Sequence, residues 1–456
     1  MTSDKKILVD LAEKPVGPLL LQYAVPAVVA MVASSLYNII DGIFVGRGVG
    51  AEAIMGLAIT LPIMNLSAAF GAMVGVGGST LLSVKLGEKD YAAAQRILGN
   101  VVTLGCIVGL GLGAAMLAGL RPLLRFFGAS DATLPYAYDF MVVVLLGNVV
   151  THLFLGLNAM LRASGKPRQA MKATMMTVAV NAALAPLFIF VAHWGIRGAA
   201  LATVMAQVVV LCWQLRLFSR PGEMIRLRRG TFGLRRRIVA GCLSIGLSPL
   251  LINLCACLVV VVINRQLARY GGDTAVGAYG IANRLSMAFV MVVLGINQGM
   301  QPIAGFNFGA RNYGRLGAVL KYAILLATAV WLAGFAICEL GATAVARAFT
   351  SDEGLVGEAA HALRVVNLVV PIVGFQMVAT NFFQSIGKAG VSIFLSLTRQ
   401  LLFLVPALMV LPRFWGLEGV WRSIPVADAT STLTTAAVLI YYVRKFRAAS
   451  RRQLSA

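Results

Sequence analysis

The sequence has few charged residues for its length. Only 12% of its 456 residues are Asp, Glu, Lys or Arg, whereas a soluble globular domain carries about 25%. A disordered chain is excluded as well, because 59% of the residues are apolar and a chain with so many apolar residues buries them away from water. The composition therefore favours a protein that lies in a membrane.

Acidic residues and metal-binding groups are especially scarce. The 17 acidic residues stand against 39 basic ones, which gives a net charge of +22, and there are only three histidines. The six cysteines lie within or at the edges of apolar segments, and neither they nor the histidines have metal-ligand spacing. Because no Ser/His/Asp or Cys/His set is present either, we expect no enzyme, no metal site and no cofactor.

Long apolar segments are what the sequence has instead. About 20 helical residues cross the bilayer core of about 30 Å, so each segment is long enough for a transmembrane helix. The predicted spans, numbered 1 to 12, are 18–43, 53–84, 96–119, 136–160, 170–192, 198–219, 238–264, 275–304, 317–341, 360–384, 391–411 and 420–443. The expected fold is an all-α polytopic membrane protein with twelve transmembrane helices.

The basic residues agree with this topology. With a cytoplasmic N-terminus and alternating spans, 28 of the 39 basic residues fall in cytoplasmic segments, Arg399 among them, and nine in outer segments. This split follows the positive-inside rule. It predicts that both termini are cytoplasmic, and it accounts for the net charge without a nucleic-acid partner.

The chain repeats itself at a spacing of about 222 residues. Leu86–Tyr91 matches Phe308–Tyr313 at a shift of 222, and Pro26 matches Pro249 at 223. Because six spans return the chain to its starting side, we expect two six-helix bundles related by a pseudo-two-fold axis along the membrane normal. Two such bundles that rock against each other expose a central site to each side in turn, so the duplication favours transport by alternating access.

The repeat also divides the chain into expected parts. These are the cytoplasmic N-terminus 1–17, the N-terminal six-helix lobe 18–219, the basic cytoplasmic linker 220–237, the C-terminal six-helix lobe 238–443 and the cytoplasmic tail 444–456.

Several motifs resemble the multidrug and toxic compound extrusion (MATE) family. They are Tyr37–Gly46 in span 1, Asn181–Pro186 in span 5, Gly195–Thr203 at the start of span 6 and Gln301–Ala310 at the end of span 8. The resemblance covers roughly 15–443 and is closest to the DinF-like branch. It implies cation-coupled export of diverse organic, often cationic, compounds.

The resemblance also bears on the coupling ion. The sodium-coupled NorM-like branch of the family has acidic residues in spans 7 and 10. Here span 7 has none, and Glu358 lies just before the outer end of span 10. These departures disfavour a sodium site in the second half.

Asp41, in the outer half of span 1, is the residue expected to couple transport. An ionisable group in mid-membrane costs about 2.5–3.5 kcal/mol or more, and a carboxylate in an apolar cleft binds protons more readily than in water. Tyr37 and Asn38 precede it by four and three positions and share its helix face. The resemblance agrees, since the Asp of span 1 couples transport in the family. The repeat-equivalent residue of the second half is Asn264, which does not titrate.

The resemblance implies further members of this cation-coupling site. Asn181 matches the Asn of span 5, Thr203 the Thr of span 6, and Asn158 a polar residue of span 4 that lines the same lobe. The family's Asp in span 5 is Ala185 here. A sodium ion would therefore have only one carboxylate, that of Asp41, with neutral oxygens of Asn181 and Thr203. Proton binding at Asp41 is the first interpretation, and sodium is the alternative.

A second set of residues is assigned to the substrate cavity. Arg284 and Asp428 are ionisable groups within spans, and methionine adapts its packing to ligands of many shapes. We expect Asp41 and Arg284 to face one cavity, whereas Asp428 has either a transport role or a structural one. The full set is Met31, Met64, Arg284, Met287, Gln298, Gln301 and Asp428.

Together these inferences predict a secondary active multidrug antiporter that exports organic, cationic compounds in exchange for protons. The alternatives are a sodium-coupled exporter of the same family and a lipid-linked sugar flippase. A flippase cavity carries several cations, and here Arg284 is the one clear cation in mid-span. The expected location is the bacterial cytoplasmic (inner) membrane, and the expected partners are small organic substrates and the lipid bilayer. We expect a functional monomer.

Overall fold

The structure is a computed structural model that describes the backbone of residues 3–454. It describes the side chains of residues 7–37, 39–50, 52–446 and 448. Within these residues every regular element is a helix and no strand occurs, which confirms the expected all-α class. The physical reason is that, in a bilayer core, a helix satisfies all of its backbone hydrogen bonds within its own segment.

The first half of the chain contains nine α-helices and one π-helix among the described residues. They are α1 (Ser3–Glu13), α2 (Val16–Gly48), α3 (Ala51–Gly87), α4 (Tyr91–Ala118), α5 (Leu120–Phe126), α6 (Leu134–Leu146), α7 (Asn148–Ala163), α8 (Pro167–Pro186), the π-helix π1 (Leu187–Val191) and α9 (Gly195–Phe218).

The second half continues with a very long helix. Its elements are α10 (Arg236–Gly309), α11 (Tyr313–Leu340), α12 (Ala342–Phe349), α13 (Glu353–Val366), α14 (Val370–Ser385), α15 (Ala389–Leu397), the π-helix π2 (Thr398–Leu404) and α16 (Val405–Leu454).

These helices supply twelve spans in the described part of the chain. Eight apolar helical stretches are long enough to cross a membrane, and two bent pairs, α6 with α7 and α13 with α14, bring the number to ten. Two of the eight stretches are far too long for one crossing, and each is interrupted at one glycine. Gly272 (φ 66°) and Gly416 (φ 54°) adopt backbone conformations that side chains disfavour. Dividing the stretches at these glycines gives twelve.

Both halves show the same local features at the spacing of the repeat. Asp90 caps α4 by accepting a hydrogen bond from the amide of Ala93, and Asn312 caps α11 in the same way with Arg315. The short helices α5 and α12 begin 222 residues apart. The bent pairs also correspond, with angles of 57° between α6 and α7 and 55° between α13 and α14. The repeat is therefore present in the backbone as well as in the residues.

The chain forms two compact units. The first comprises Met1–Lys14 and Val29–Leu250, and the second comprises Pro15–Val28 and Leu251–Ala456. The boundaries fall just after Pro26 and Pro249, the prolines that match in the repeat. The lobes 18–219 and 238–443 stay a prediction from the repeat, and the compact units differ from them in the first part of α2 and of α10.

Glycines allow helices to approach closely within each unit. In the first unit, a methyl group added at Gly77 of α3 would overlap the backbone of Cys242 in α10. In the second unit, a methyl group at Gly299 of α10 would lie 2.6 Å from Cα of Ala24 in α2. Gly77 and Gly299 are 222 residues apart. In each half, therefore, a glycine at the matching position lets the beginning of the other half's first span pack closely against it.

Candidate functional site

Asp41 lies on α2 in the first unit, and it is buried. Only 8% of the residue is exposed, and its Oδ1 atom has no hydrogen-bond partner among the described residues. A buried acceptor without a partner costs about 1–3 kcal/mol, and more when it is charged. The site therefore favours a neutral, protonated carboxyl group or a carboxylate with a bound cation.

A hydrogen-bonded cluster lies one helical turn from Asp41. Nδ2 of Asn181 (α8) donates to Oη of Tyr37 (α2) and to Oγ1 of Thr203 (α9), both at 3.0 Å. Oη of Tyr37 lies 2.9 Å from Oγ1 of Thr203. Tyr37 and Asp41 share a face of α2 because they are four residues apart. Three helices thus bring together four of the residues assigned to the cation-coupling site.

The two hydroxyl hydrogens of this cluster are already used in hydrogen bonds. Thr203 Oγ1 lies 3.2 Å from the carbonyl of Ala199 and donates its hydrogen there, so the hydroxyl of Tyr37 is the donor to Thr203. A hydroxyl group has one hydrogen to donate. Tyr37 therefore holds α8 and α9 together and leaves no hydrogen for the carboxyl group of Asp41.

Asn158 is hydrogen-bonded elsewhere. Its Nδ2 lies 3.3 Å from the carbonyl of Ala170 and from Oγ1 of Thr174, and its Oδ1 accepts from Nη1 of Arg162 at 2.6 Å. None of these partners belongs to the cluster around Tyr37. The side chain of Asn38, the other predicted member, lies outside the described residues.

No second carboxylate takes part in the hydrogen bonds that the structure describes for this cluster. Ala185, which replaces the family's Asp, is fully buried in an apolar cluster with Ile189 and Ala199. No group of three or more His, Cys, Asp or Glu side chains able to hold a metal occurs among the described residues. Asp41 is thus the carboxylate on which a cation would depend.

The second unit pairs its buried carboxylate with a cation. Oδ1 of Asp428 (α16) lies 2.7 Å from Nε of Arg399 in π2, and the Asp428 side chain is 5% exposed. The charge count of the sequence assigns Arg399 to a cytoplasmic segment, but π2 belongs to the long apolar stretch Ala389–Phe446. Arg399 is therefore absent from the site predicted from the sequence. The signal that could have found it is Asp428, because a buried carboxylate within a span needs a cationic partner.

The other residues assigned to the substrate cavity are dispersed over both units. Met31 and Met64 are half-buried in the first unit, where Met64 packs against the apolar core. In the second unit Arg284 and Met287 are exposed, Gln298 is half-buried and Gln301 is buried. The common cavity expected for Asp41 and Arg284 stays a prediction.

Comparison with known proteins gives consistent matches over almost the whole chain. A family model described as MatE matches residues 26–187 and 246–409. The multidrug export protein MepA of Staphylococcus haemolyticus (strain JCSC1435) is 25% identical over 432 residues, which cover 95% of each chain. A solved structure of a MATE protein in the bent conformation has a TM-score of 0.92 and 25% identity, and covers 99% of this chain and 100% of its own. An outward-facing multidrug resistance MATE family transporter of the MOP superfamily has a TM-score of 0.90 and 26% identity, with coverages of 96% and 98%.

Proposed function

The chain belongs to the MatE family, since the family model matches more than half of it, and on this premise we propose that it is a proton-coupled multidrug exporter. It is a multi-pass membrane protein of a transporter family and not an enzyme. The curated relative it matches over 95% of each chain is named as a multidrug export protein. We propose the same activity here, for organic and mainly cationic compounds. The DinF-like branch stays a prediction.

The burial of Asp41, whose Oδ1 has no hydrogen-bond partner among the described residues, is the observation that carries proton coupling. Protonation removes the cost of burying its charge, so the group gains a proton when its surroundings are apolar and loses one when a cationic substrate or water approaches. Such an exchange links proton movement to substrate movement in opposite directions. Asn264, its mate in the repeat, does not take part because an amide does not titrate in this way.

Sodium coupling is the weaker candidate on the same geometry. Metal cations of this hard type need several oxygen ligands. Here the oxygens of Tyr37 and Thr203 already hydrogen-bond one another and Asn181. A sodium ion would have to break these bonds and would gain only one carboxylate, that of Asp41, because Ala185 supplies none.

A transport assay in everted vesicles tests the proposal. A pH gradient and a sodium gradient are imposed separately, and uptake of a fluorescent organic cation is measured. We expect the pH gradient to drive uptake and the sodium gradient not to. Each proton that crosses 100 mV supplies about 2.3 kcal/mol, which supports a gradient of roughly fifty-fold.

Two variants show whether Asp41 is the coupling group. Asp41→Asn keeps the shape of the side chain and is expected to abolish proton-driven uptake. Asp131→Asn is the matched control, because the side chain of Asp131 is 97% exposed in the same unit. Uptake driven by sodium alone, or full activity of Asp41→Asn, would contradict proton coupling at this residue.

We further propose that the protein lies in the bacterial cytoplasmic membrane as a functional monomer with both termini in the cytoplasm. The distribution of basic residues supports this orientation. Single cysteines at Arg220 and Arg347, which are exposed on segments predicted to be cytoplasmic and outer, test it in a cysteine-free background. An impermeant thiol reagent applied to whole cells should label only Arg347→Cys. Labelling of Arg220→Cys instead would show that the orientation is the opposite of the one proposed.

A further inference from the structure

The segment between α9 and α10 leads into an exposed cluster of arginines in the first unit. The acidic residue before them, Glu223, is paired with Lys166, and the next acid along the chain is Asp273. No ion pair to the clustered guanidinium groups occurs among the described residues. Like charges this close repel one another, so the cluster is suited to bind an anion. This arginine cluster consists of Arg228, Arg229, Arg235, Arg236 and Arg237, all of them exposed.

The backbone between the arginines is fixed to α4 by the side chain of Asn100. Its Nδ2 lies 3.2 and 3.1 Å from the carbonyl oxygens of Thr231 and Gly233. Its Oδ1 accepts a hydrogen bond from the amide of Arg235 at 2.8 Å. Asn100 is 1% exposed, and a buried amide group with these partners holds the segment in one position.

Gly99 and Thr103 complete the contact surface on α4. Oγ1 of Thr103 lies 2.8 Å from the carbonyl oxygen of Phe232 and 3.2 Å from that of Gly99, and it donates to the nearer one. A methyl group added at Gly99 would lie 2.4 Å from the carbonyl oxygen of Thr231. At the place of Gly99 the second half has Lys321, whose side chain the same approach would not accommodate. The arginine cluster is therefore held in place by features of the first half.

Two exposed apolar side chains lie between the arginines. Phe232 is 39% exposed and Leu234 is 45% exposed. Asn100, which holds their segment, is nine residues from the beginning of α4, or about 14 Å along the helix, and close to the cytoplasmic start of predicted span 4. Side chains such as Phe and Leu insert at this level, where lipid headgroups meet acyl chains. The segment thus combines apolar groups for the acyl region with cations for the headgroups.

We propose that the arginine cluster, with Phe232 and Leu234, is a binding site for an anionic phospholipid. The guanidinium groups bind the phosphate oxygens through paired hydrogen bonds, and the two apolar side chains contact the acyl chains. Basic residues immediately cytoplasmic of a transmembrane helix are typical of binding to anionic lipids. A nucleic acid would use the same cations but would leave Phe232 and Leu234 without an apolar partner, which favours the lipid.

Titration of the purified full-length chain with phosphatidylglycerol in a neutral detergent tests the proposal, with the bound lipid counted by native mass spectrometry. We expect Arg229→Gln/Arg236→Gln to lower the affinity about thirtyfold, from about fivefold for each arginine. The matched control is Arg444→Gln/Lys445→Gln, which removes two exposed charges near the C-terminus and should leave the affinity within about twofold. Phosphatidylcholine, whose headgroup has no net charge, should bind weakly to all of them.

Loosening the contact with α4 separates a built site from attraction by net charge alone. Asn100→Ala keeps all five arginines but releases their backbone, and it should lower the affinity for phosphatidylglycerol about tenfold. Thr103→Val loses only the hydrogen bond to Phe232 and should lower the affinity about threefold, which keeps the test valid if Asn100→Ala does not fold.

Four results would overturn the proposal. They are equal losses in the two double variants, unchanged affinity in Thr103→Val together with Asn100→Ala if that variant folds, phosphatidylcholine binding as tight as that of phosphatidylglycerol, and displacement of the lipid by an equal concentration of glycerol 3-phosphate or of a short oligonucleotide. Because binding is measured without transport, these outcomes are independent of the proposed proton coupling.

Discussion

Asp41 of the first unit is buried and its Oδ1 has no hydrogen-bond partner among the described residues, whereas Oδ1 of Asp428 in the second unit lies 2.7 Å from Nε of Arg399. The two halves have the same order of helices, and yet their buried acids have opposite surroundings. No cationic partner of Asp41 occurs among the described residues, whereas the carboxylate of Asp428 has the guanidinium group of Arg399 beside it. The difference teaches that duplication of the fold left each half free to acquire its own chemistry.

The largest effect is expected when the carboxylate is moved from the first half to the second. The double variant Asp41→Asn/Asn264→Asp should lose proton-driven uptake down to the level of empty vesicles. The second half lacks the neighbours of Asp41, since the repeat mates of Tyr37 and Thr203 are Val260 and Ile424. Vesicle uptake under a pH gradient measures this. Asn264→Asp alone serves as the control, and restored transport in the double variant would show that the halves are interchangeable.

Breaking the ion pair of the second unit is expected to have the next largest effect. Arg399→Gln leaves Asp428 buried without a partner and should destabilise the protein by about 3–5 kcal/mol, the cost of removing one member of a buried pair. Arg399→Gln/Asp428→Asn should recover most of this loss because no charge stays buried. Thermal unfolding in detergent measures both. Equal stability of the single and double variants would contradict a close, buried pair.

The matching glycines should show that the halves remain alike in packing. Gly77→Ala and Gly299→Ala each introduce a methyl group against the backbone of a neighbouring helix and should cost about 1–3 kcal/mol. Gly111→Ala is the control, because nothing lies within 4 Å of the added methyl group. Clearly different unfolding midpoints for Gly77→Ala and Gly299→Ala would show that these two helix contacts are not equivalent.

The smallest effect concerns two threonines with different environments. Thr203→Val removes the hydrogen bonds to Tyr37 and Asn181 and should cost about 1 kcal/mol or slightly more. Thr380→Val should be close to neutral, because its Oγ1 has no hydrogen-bond partner among the described residues to lose. The same unfolding measurement compares them. A larger loss for Thr380→Val would mean that its hydroxyl is bonded within the protein.

The site itself was only partly predictable. Asp41 could be found from the sequence, because an ionisable group within an apolar span is costly and therefore indicates a function. Tyr37 could be found because residues four positions apart share one face of a helix. Asn181 and Thr203 came from the family resemblance alone, since they are 144 and 166 residues from Tyr37 and no local rule connects them. Asn158 is in the same unit, but its partners are Arg162, Ala170 and Thr174.

Arg399 shows why the remainder could not be predicted. A count of basic residues sorts each one by its position along the chain, and this residue stands near a predicted cytoplasmic segment. Only the folded chain shows that π2 directs Arg399 to Asp428, which is 29 residues away. The same holds for buried oxygens such as those of Asn297 and Gln376, which have no hydrogen-bond partner among the described residues, because hydrogen-bond satisfaction is a property of three-dimensional contacts.

The sequence by itself determined the membrane location, the helical class, the number of spans and the repeat. These properties depend on the length and spacing of apolar segments, and the bilayer turns such segments into helices with little freedom. The tertiary structure alone decided that the first part of α2 belongs to the second compact unit and the first part of α10 to the first unit. It also decided which buried acid is paired and which buried polar groups have no partner among the described residues. Those outcomes depend on contacts between residues far apart in the chain, for which the periodicity of a single sequence carries no information.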